Sequence, residues 1–173
     1  MYDKKAWEKA AAFHGHVCGG LATGFKAVEA LKETLGADFS PDEEIVCVTE
    51  NDTCAVDAIQ SLLGCTFGKG NLIYRSTGKM AFNFYFRKTG KSIRLYYKGD
   101  FSDIPKEQRM GKILETPAAE LFNVTPAAFP LPEKARLFPS VTCSVCGEKA
   151  REDKIRLQDG KPVCLSCFKE YDR

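Results

Sequence analysis

The stretch Met80-Ala-Phe-Asn-Phe-Tyr-Phe86 alternates its side chains with a period of two, which predicts a β-strand. Its even-numbered positions are apolar throughout, whereas its odd-numbered positions include polar groups. Thr77-Gly78 and Thr89-Gly90 bracket it as predicted turns, and residues 71–76 and 91–98 are predicted as its neighbouring strands. These segments predict an antiparallel meander sheet.

Helical periodicity lies on both sides of this predicted sheet. In residues 19–35, apolar side chains recur at intervals of three and four, the stripe of a helix that packs on a core. Because helices come first, then strands and then helices, the sequence predicts the α+β class. Helices are predicted at residues 3–13, 19–35, 54–63, 104–115 and 117–122, and a short strand at residues 44–49.

The charges of the chain nearly balance. Among its 173 residues, 25 Lys and Arg stand against 23 Asp and Glu, a formal net charge of +2. That balance argues against nucleic acid or an anionic membrane as the main partner, because both select a strongly basic face. No apolar run approaches the roughly 18 residues that span a bilayer, and the N-terminus lacks the apolar core of a signal peptide. We therefore expect a cytoplasmic protein.

In that reducing compartment the eight cysteines are expected to be metal ligands, reactive thiols or core residues rather than disulfides. Four of them form Cys143-Ser-Val-Cys146 and Cys164-Leu-Ser-Cys167, the double C-x2-C spacing of a zinc site. Four thiolates close a tetrahedral shell without an open position, which predicts structural zinc. A pair of redox C-x-x-C motifs would need a βαβ context, which this segment lacks.

The segment around these cysteines is too small to fold on its core alone, so metal binding is expected to supply folding energy. A hairpin is predicted around Asp159-Gly160. The charged side chains of residues 141–173 nearly cancel one another, and a zinc tetrathiolate adds two negative charges. Because such a segment is not basic, we favour protein contact over nucleic-acid contact as its role. Prolines concentrate in residues 126–140, which predicts a stiff linker. The sequence therefore predicts an α+β domain at residues 1–125 and a zinc-ribbon-like domain with a four-cysteine zinc site at residues 141–173.

Both histidines of the chain lie in Phe13-His-Gly-His-Val-Cys18-Gly-Gly20. In an extended segment, His14, His16 and Cys18 point to the same side and could converge on zinc or another borderline metal. In a helix, His14 and Cys18 would lie one turn apart and His16 would point away. The alternative is a glycine-rich turn between helices with a capping histidine.

A third cysteine-bearing segment is Asn51-Asp-Thr-Cys54-Ala-Val-Asp57-Ala-Ile-Gln60, with Cys54 in the first turn of a predicted helix. Free amides and the helix dipole favour a thiolate there, which predicts a lowered pKa and a ligand or nucleophile. Asp57 and Gln60 follow at a spacing of three and are predicted to line the same wall. Equally, Cys54 could be a small buried side chain and Asp57 a partner of the helix dipole.

The segment Gly64-Cys-Thr-Phe-Gly-Lys-Gly-Asn71 resembles a phosphate-binding loop but fails the Walker A spacing. An anion nest at Gly68 and Lys69 is one interpretation, and a plain turn is the favoured one. The role of Cys65 is open, and Cys47 is predicted to be a core residue.

Together these three segments resemble the FmdE family, proteins similar to the FmdE component of formylmethanofuran dehydrogenase. The resemblance covers most of residues 1–130, and many members also carry a C-terminal zinc module. The family usually has Cys-Pro-Gly in the first motif, where this chain has Gly19 in place of proline.

The resemblance implies an α+β domain, an intertwined homodimer and a polar cleft between the first two motifs. By match, His16, Cys18 and Cys54 are the candidate metal ligands, with His14, Asp57 and Lys69 nearby. It also implies an association with molybdenum or tungsten formylmethanofuran dehydrogenase.

The leading functional hypothesis is a metal-binding protein with a structural zinc ribbon and a second transition-metal site, in an oxidoreductase or one-carbon setting. If that site is catalytic, Asp57 or His14 would act as the acid or base and the metal as a Lewis acid. The first alternative is a non-catalytic adaptor that serves a molybdenum or tungsten enzyme. The weaker alternative is a regulator whose ribbon contacts nucleic acid.

Overall fold

The computed structural model describes residues 2–173 and divides them into two compact units, one ending at Ala135 and one running from Arg136 to Arg173. The first unit mixes helices with a five-stranded sheet, so the predicted α+β class is confirmed. Its helices are α1 (Lys4–His14), α2 (Gly19–Leu35), α3 (Ala55–Leu63), α4 (Lys106–Glu115) and α5 (Ala118–Leu121), and its strands are β1 (Ile45–Thr49), β2 (Leu72–Tyr74), β3 (Ala81–Phe86), β4 (Ser92–Tyr97) and β5 (Phe122–Thr125).

The strands lie in the order β2-β1-β3-β4-β5. Of the predicted antiparallel meander, the pairing of β3 with β4 is confirmed, and β5, a strand that the sequence did not predict, pairs with β4 in antiparallel. The prediction that the segment of β2 neighbours β3 is wrong, because β1 lies between them and β2 pairs with β1 in parallel. Every side chain of β1 is buried, because both faces of the sheet are covered at this inner strand, whereas burial falls along the short edge strand β2.

One face of this sheet carries the main core. Helices α2 and α3 cover Phe82, Phe84 and Leu95, all of which are fully buried. Each such side chain stabilises the fold by roughly 1.5–3 kcal/mol relative to exposure. The ends of α2 and α3 that carry Cys18 and Cys54 are therefore fixed by helices that cannot shift without opening this core.

The other face of the sheet is covered by residues 126–135, which belong to the first unit. Tyr85 donates its hydroxyl to the Phe129 carbonyl at 2.7 Å, and Asn83 accepts from the Ala128 amide at 2.8 Å. The ring of Phe129 packs with Val46, Val48 and Tyr85. This part of the predicted linker is thus a strap bound to the sheet.

A buried ion pair lies on the same face of the sheet. Arg94 contacts both carboxylate oxygens of Glu50, Nε to Oε1 at 2.6 Å and Nη2 to Oε2 at 3.1 Å. Asn83 and Thr77 donate to the same oxygens at 3.0 and 2.8 Å. The Arg94 hydrogen bond is the main reason that the pKa of Glu50 falls to about 2. Because Glu50 is only 2% exposed, these partners are what allow a carboxylate at this position.

The second unit consists of two small hairpins. Strands β6 (Ser140–Thr142) and β7 (Lys149–Arg151) form one, and β8 (Ile155–Gln158) and β9 (Lys161–Cys164) form the other. The predicted turn is confirmed at Asp159-Gly160, where both residues have positive φ, 51° and 71°. Within residues 2–173, no helix has the length and apolar character to traverse a membrane.

Candidate metal-binding sites

The four cysteines of the second unit come from two places, Cys143 and Cys146 from the turn that joins β6 to β7, and Cys164 and Cys167 from the end of β9. The sulfur atoms of Cys143, Cys146, Cys164 and Cys167 all lie within 4.8 Å of one another. Each pair occupies a tight turn, and the Cys146 and Cys164 sulfurs are 4.0 Å apart. This is the donor set and spacing of a closed zinc tetrathiolate.

The backbone prepares one of these sulfurs for ionisation. The amides of Cys146, Cys164 and Val145 direct hydrogen bonds at Cys143 and lower its pKa to about 6. The sulfurs of Cys164 and Cys146 raise the pKa of Cys167 to about 12, because neighbouring thiols share protons and neighbouring thiolates repel. A divalent cation would reduce the repulsion between these thiolates, because it offsets their negative charge.

In the first unit, His14 is the last residue of α1 and is held by a carboxylate from α3. Its Nδ1 lies 2.7 Å from Asp57 Oδ2, and its side chain is only 10% exposed. Gln60, one turn further along α3, donates its Nε2 to Asp57 Oδ1 at 3.0 Å. The chain Gln60–Asp57–His14 leaves Nε2 of the imidazole as the atom that faces away from the carboxylate. A histidine held in this way is typical of metal ligands.

Cys18 lies opposite that nitrogen, with its sulfur 4.0 Å from His14 Nε2. It is the N-cap of α2, and its sulfur accepts a hydrogen bond from the Leu21 amide at 3.3 Å. His16 is exposed, and its ring centroid lies 4.3 Å from that of His14. Donor atoms of His14, His16 and Cys18 all fall within 4.8 Å of one another. The turn between α1 and α2 therefore brings these three side chains together, although His14 lies in a helix and not in the extended segment that one of the interpretations required.

Cys54 reaches the same place from the N-cap of α3. A Cβ built on Gly20 would lie 3.8 Å from both the Cys18 and the Cys54 sulfur. Burial raises the pKa of Cys54, and the hydrogen bond and charge of the Cys18 sulfur raise it further. The predicted lowering of this pKa is wrong, since the Cys54 side chain makes no capping bond and meets a second sulfur instead. A shared cation is what would let both sulfurs ionise together.

The approach of α3 to α2 depends on two glycines one turn apart. A Cβ on Gly24 would lie 2.0 Å from the carbonyl oxygen of Ala55, and one on Gly20 would lie 3.1 Å from Cys54 Cβ. The first turn of α3 thus rests directly on the backbone of α2. That contact sets the separation of Cys18 and Cys54.

A cavity of about 450 Å³ opens beside these residues. His14, Cys54, Asp57 and Gln60 line it, as do the aromatic side chains of Phe67 and Tyr74. The sequence reasoning missed the two aromatic residues. The available signal was an aromatic residue inside a glycine-rich loop, where a core side chain is not expected.

Lys69, which with Gly68 formed the anion-nest interpretation, has a different surrounding from the one that this interpretation requires. Lys69 Nζ donates to the carbonyls of Ser40, Pro41 and Asp42 at 2.8, 3.2 and 3.2 Å. Because these bonds use all three of its donors, the placement favours the plain turn over an anion site.

Of the remaining cysteines, Cys47 and Cys65 are fully buried in the main core. Burial raises the pKa of both thiols, that of Cys65 to about 12. Cys65, whose role was open, is therefore a core residue, as Cys47 was predicted to be. All eight cysteines are free thiols.

Comparison with known proteins gives two family matches. The family described as "FmdE, Molybdenum formylmethanofuran dehydrogenase operon" matches residues 13–123. The prokaryotic dksA/traR C4-type zinc finger matches residues 136–173. The second match covers the four-cysteine cluster, and the first covers every residue of the His14–Cys54 site.

A solved structure and a curated protein are also similar. The crystal structure of a tungsten formylmethanofuran dehydrogenase FmdE-like protein from Syntrophus aciditrophicus has 26% identity and a TM-score of 0.69, covering 95% of this chain and 90% of that one. A probable S-adenosyl-L-methionine-binding protein from Archaeoglobus fulgidus is 29% identical over 94% of this chain. The chain spans 52% of that relative's length, about half of it.

Proposed function

Because this chain belongs to the FmdE family and carries a four-cysteine zinc-binding cluster, we propose that its first unit works through a second, exchangeable metal ion. The ligands of this ion are His14, Cys18 and Cys54. The observation that carries the proposal is the hydrogen-bonded chain from Gln60 through Asp57 to His14, which directs the free imidazole nitrogen toward Cys18.

This assignment exchanges the roles that the family resemblance implies for the two histidines. His14 is fixed by Asp57 and nearly buried, as a permanent ligand is, whereas His16 is exposed at the mouth of the site. His16 is then the side chain free to give way to a small ligand or to move a proton. Two thiolates and an imidazole suit zinc or another borderline divalent ion.

When bound, such a cation supplies Lewis acidity to a small ligand that takes the remaining position. The residues of the chain do the rest. Asp57 keeps the Nδ1 proton of His14 in place, Gln60 orients Asp57, and the cavity holds the ligand beside the ligating sulfur of Cys54. The family relationship is what supports the proposed oxidoreductase or one-carbon setting.

The test is metal analysis of the full chain purified from its own host. We expect two metal ions per chain, one of which is lost in Cys54→Ala, while the zinc of the second unit remains. Cys65→Ala is the matched control, since Cys65 is a buried thiol outside the cluster, and it should keep both ions. An unchanged metal content in Cys54→Ala would refute the second site.

The supporting role of Asp57 behind the ligand has its own test. Asp57→Asn should weaken binding of the second ion by about 10–100-fold, because such partners orient and polarise the ligand. Titration with zinc against a competing chelator measures this. If Asp57→Asn binds as tightly as the parent protein, His14 is not the ligand that the geometry suggests.

A second candidate function is that of a non-catalytic accessory protein. The description of the Syntrophus aciditrophicus protein as FmdE-like, after a component of tungsten formylmethanofuran dehydrogenase, favours it. In this case the chain docks onto a molybdenum or tungsten enzyme as a cytoplasmic homodimer, with the zinc unit as a contact surface. A stable complex with such an enzyme, together with no turnover by the isolated chain, would select this alternative over the catalytic one.

A further inference from the structure

We propose that the cavity beside the metal site binds a flat nitrogen heterocycle that is neutral or cationic and carries no phosphate. The inference deepens the proposed function by naming the ligand class of the same site, and it rests on that function only for the inner end of the cavity. Phe67 and Tyr74 supply the stacking surface, and Asp52 and Gln60 supply hydrogen-bond acceptors.

The two aromatic residues are unusually open for their place in the fold. Phe67 is 78% exposed and Tyr74 is 46% exposed, and both line the same cavity. Phe67 lies in the loop between α3 and β2, and Tyr74 is the last residue of β2. Aromatic side chains presented at a concave site are the usual platforms for flat rings.

The charges around the cavity select against phosphate. Its charged lining residues in the described chain are Asp52 and Asp57, and no Lys or Arg lies among them. The nearest lysine in the loop, Lys69, uses its donors on the carbonyls of residues 40–42. A dianionic group would therefore meet carboxylates, and the one cation proposed at the cavity, the metal ion, has its charge already balanced by the thiolates of Cys18 and Cys54.

The first turn of α3 does not offer an anion site either. The Ala55 amide donates to Thr53 Oγ1 at 3.4 Å, the Val56 amide to the Thr53 carbonyl at 3.0 Å, and the Asp57 amide to the Cys54 carbonyl at 3.2 Å. The amides that bind phosphate at other helix N-termini are thus already used within the turn.

The polar wall of the cavity favours a ligand that donates hydrogen bonds. Thr49 donates its hydroxyl to the Asn51 carbonyl at 2.6 Å, and Thr53 donates its own to Asn51 Oδ1 at 2.8 Å, so these donors are taken. Gln60 directs one of its two N–H groups at Asp57 and keeps its carbonyl oxygen as an acceptor. The Asp52 carboxylate is a second acceptor. Ring N–H and exocyclic amino groups match such a wall.

The size of the cavity agrees with a small molecule. Its volume of about 450 Å³ lies within the range of roughly 300–1,000 Å³ that is usual for ligand sites. The metal-ligand end, with His14 and Cys54, and the aromatic end, with Phe67 and Tyr74, border one space. A ring stacked on the aromatic residues would place its substituent toward the metal.

The test uses a matched pair of probes, adenosine and adenosine monophosphate, which share the ring and differ by a phosphate. Calorimetric titration of the full-length, metal-loaded protein should show binding of adenosine and at least about tenfold weaker binding of the monophosphate. Phe67→Ala should weaken adenosine binding by about tenfold, and Phe67→Trp should restore it. Asp52→Asn should reduce the difference in affinity between adenosine and adenosine monophosphate.

Phe39→Ala is the matched control, because Phe39 is a 54% exposed phenylalanine that does not line the cavity. It should leave adenosine binding unchanged. The inference is overturned if adenosine shows no binding at millimolar concentration, if the monophosphate binds as tightly, or if Phe39→Ala has the effect of Phe67→Ala.

Two further measurements distinguish this ligand site from the proposed metal site and from an interface between copies of the chain. Removal of the second metal with a chelator, which leaves every side chain of the cavity in place, should keep adenosine binding within about threefold, so failure of the metal site and failure of the ligand site are distinguishable. Light scattering should give the same mass for Phe67→Ala and the parent protein. A fall in mass without a change in adenosine binding would assign Phe67 to an interface between copies of the chain and overturn the inference.

Discussion

The two clusters of metal-ligating side chains differ in how the chain brings them together. The four cysteines of the second unit come from two tight turns within a short segment, and little but the cluster itself lies in its core. The His14–Cys54 site draws on the end of α1 and the starts of α2 and α3, which a large apolar core holds in place.

The second unit therefore needs its metal in order to fold, whereas the first unit folds on its own core and can then bind a metal ion. In the second unit, the buried core consists of Cys143, Val163 and Cys164. Such a core is too small to stabilise a fold without the metal. In the first unit, loss of a ligand should remove an ion and leave the fold.

The largest expected effect is in the second unit. Cys164→Ser should release its zinc and unfold residues 136–173, since structural zinc contributes about 10–16 kcal/mol to such modules. Proteolysis of that segment, with an unchanged unfolding temperature for the first unit, is the measurement. Ser166→Ala, an exposed change in the same turn, should do neither. If the second unit of the Cys164→Ser protein still resists protease, that unit does not need its zinc in order to fold, and the difference between the two units is contradicted.

The next effect concerns the contact that positions Cys54. Gly24→Ala should destabilise the first unit by about 3 kcal/mol or more, because the new methyl group overlaps the Ala55 carbonyl. Gly111→Ala in α4 is the control, and it should stabilise by about 0.5–1 kcal/mol because no atom lies within 4 Å of its new Cβ. Urea unfolding measures both. Equal values for the two variants would show that α3 does not rest on α2 as described.

A smaller effect follows from the buried pair of Glu50 and Arg94. The folded pKa of Glu50, about 2, lies below its ordinary value of 4.5, so its contribution is complete above pH 4.5 and disappears as the pH falls toward 2. The full contribution is about 3 kcal/mol. The difference in unfolding free energy between the parent protein and Glu50→Gln should shrink over this range.

That experiment distinguishes acid effects on the first unit from loss of zinc by the second, because both proteins lose zinc alike. A difference that stays constant between pH 5 and pH 2 would contradict the assigned pKa.

The smallest effect is at Gly19, where the family resemblance implies a proline. Gly19 is the first residue of α2, and Cys18 before it is extended, with φ −154° and ψ 167°. Proline is favoured at the first helical position and requires an extended residue before it. Gly19→Pro should therefore stabilise the first unit by about 0.4–1 kcal/mol and leave the metal content unchanged. A loss of the second ion would mean that proline distorts the turn carrying Cys18.

The local features of this fold were predictable because they depend on neighbouring residues. The periodicity and the final glycine predict α2 as it is observed, Gly19–Leu35, and Asp3 caps α1 with bonds to two amides. The spacing of the four cysteines also predicts their zinc site. In the candidate site, spacing by twos offered convergence of His14, His16 and Cys18 only for an extended segment, whereas the structure ends a helix at His14 and brings the donor atoms together in the turn that follows.

The features that escaped prediction depend on contacts between distant residues. Nothing local shows that β1 enters between β2 and β3, or that Asp57 holds His14 across 43 residues. The raised pKa of Cys54 has the same origin, since the Cys18 sulfur comes from another helix. Lys69 has its charge satisfied by carbonyls nearly thirty residues away, and local chemistry gave no sign of it.

The strap has a practical consequence for anyone who wishes to excise the first unit. A truncation after residue 125, where the composition suggests that the domain ends, would remove the cover from Val46, Val48 and Tyr85. The exposed strand face would be a site of aggregation. A truncation after Ala135 retains that cover, so the useful boundary for gene design lies ten residues beyond the one that the prolines suggest.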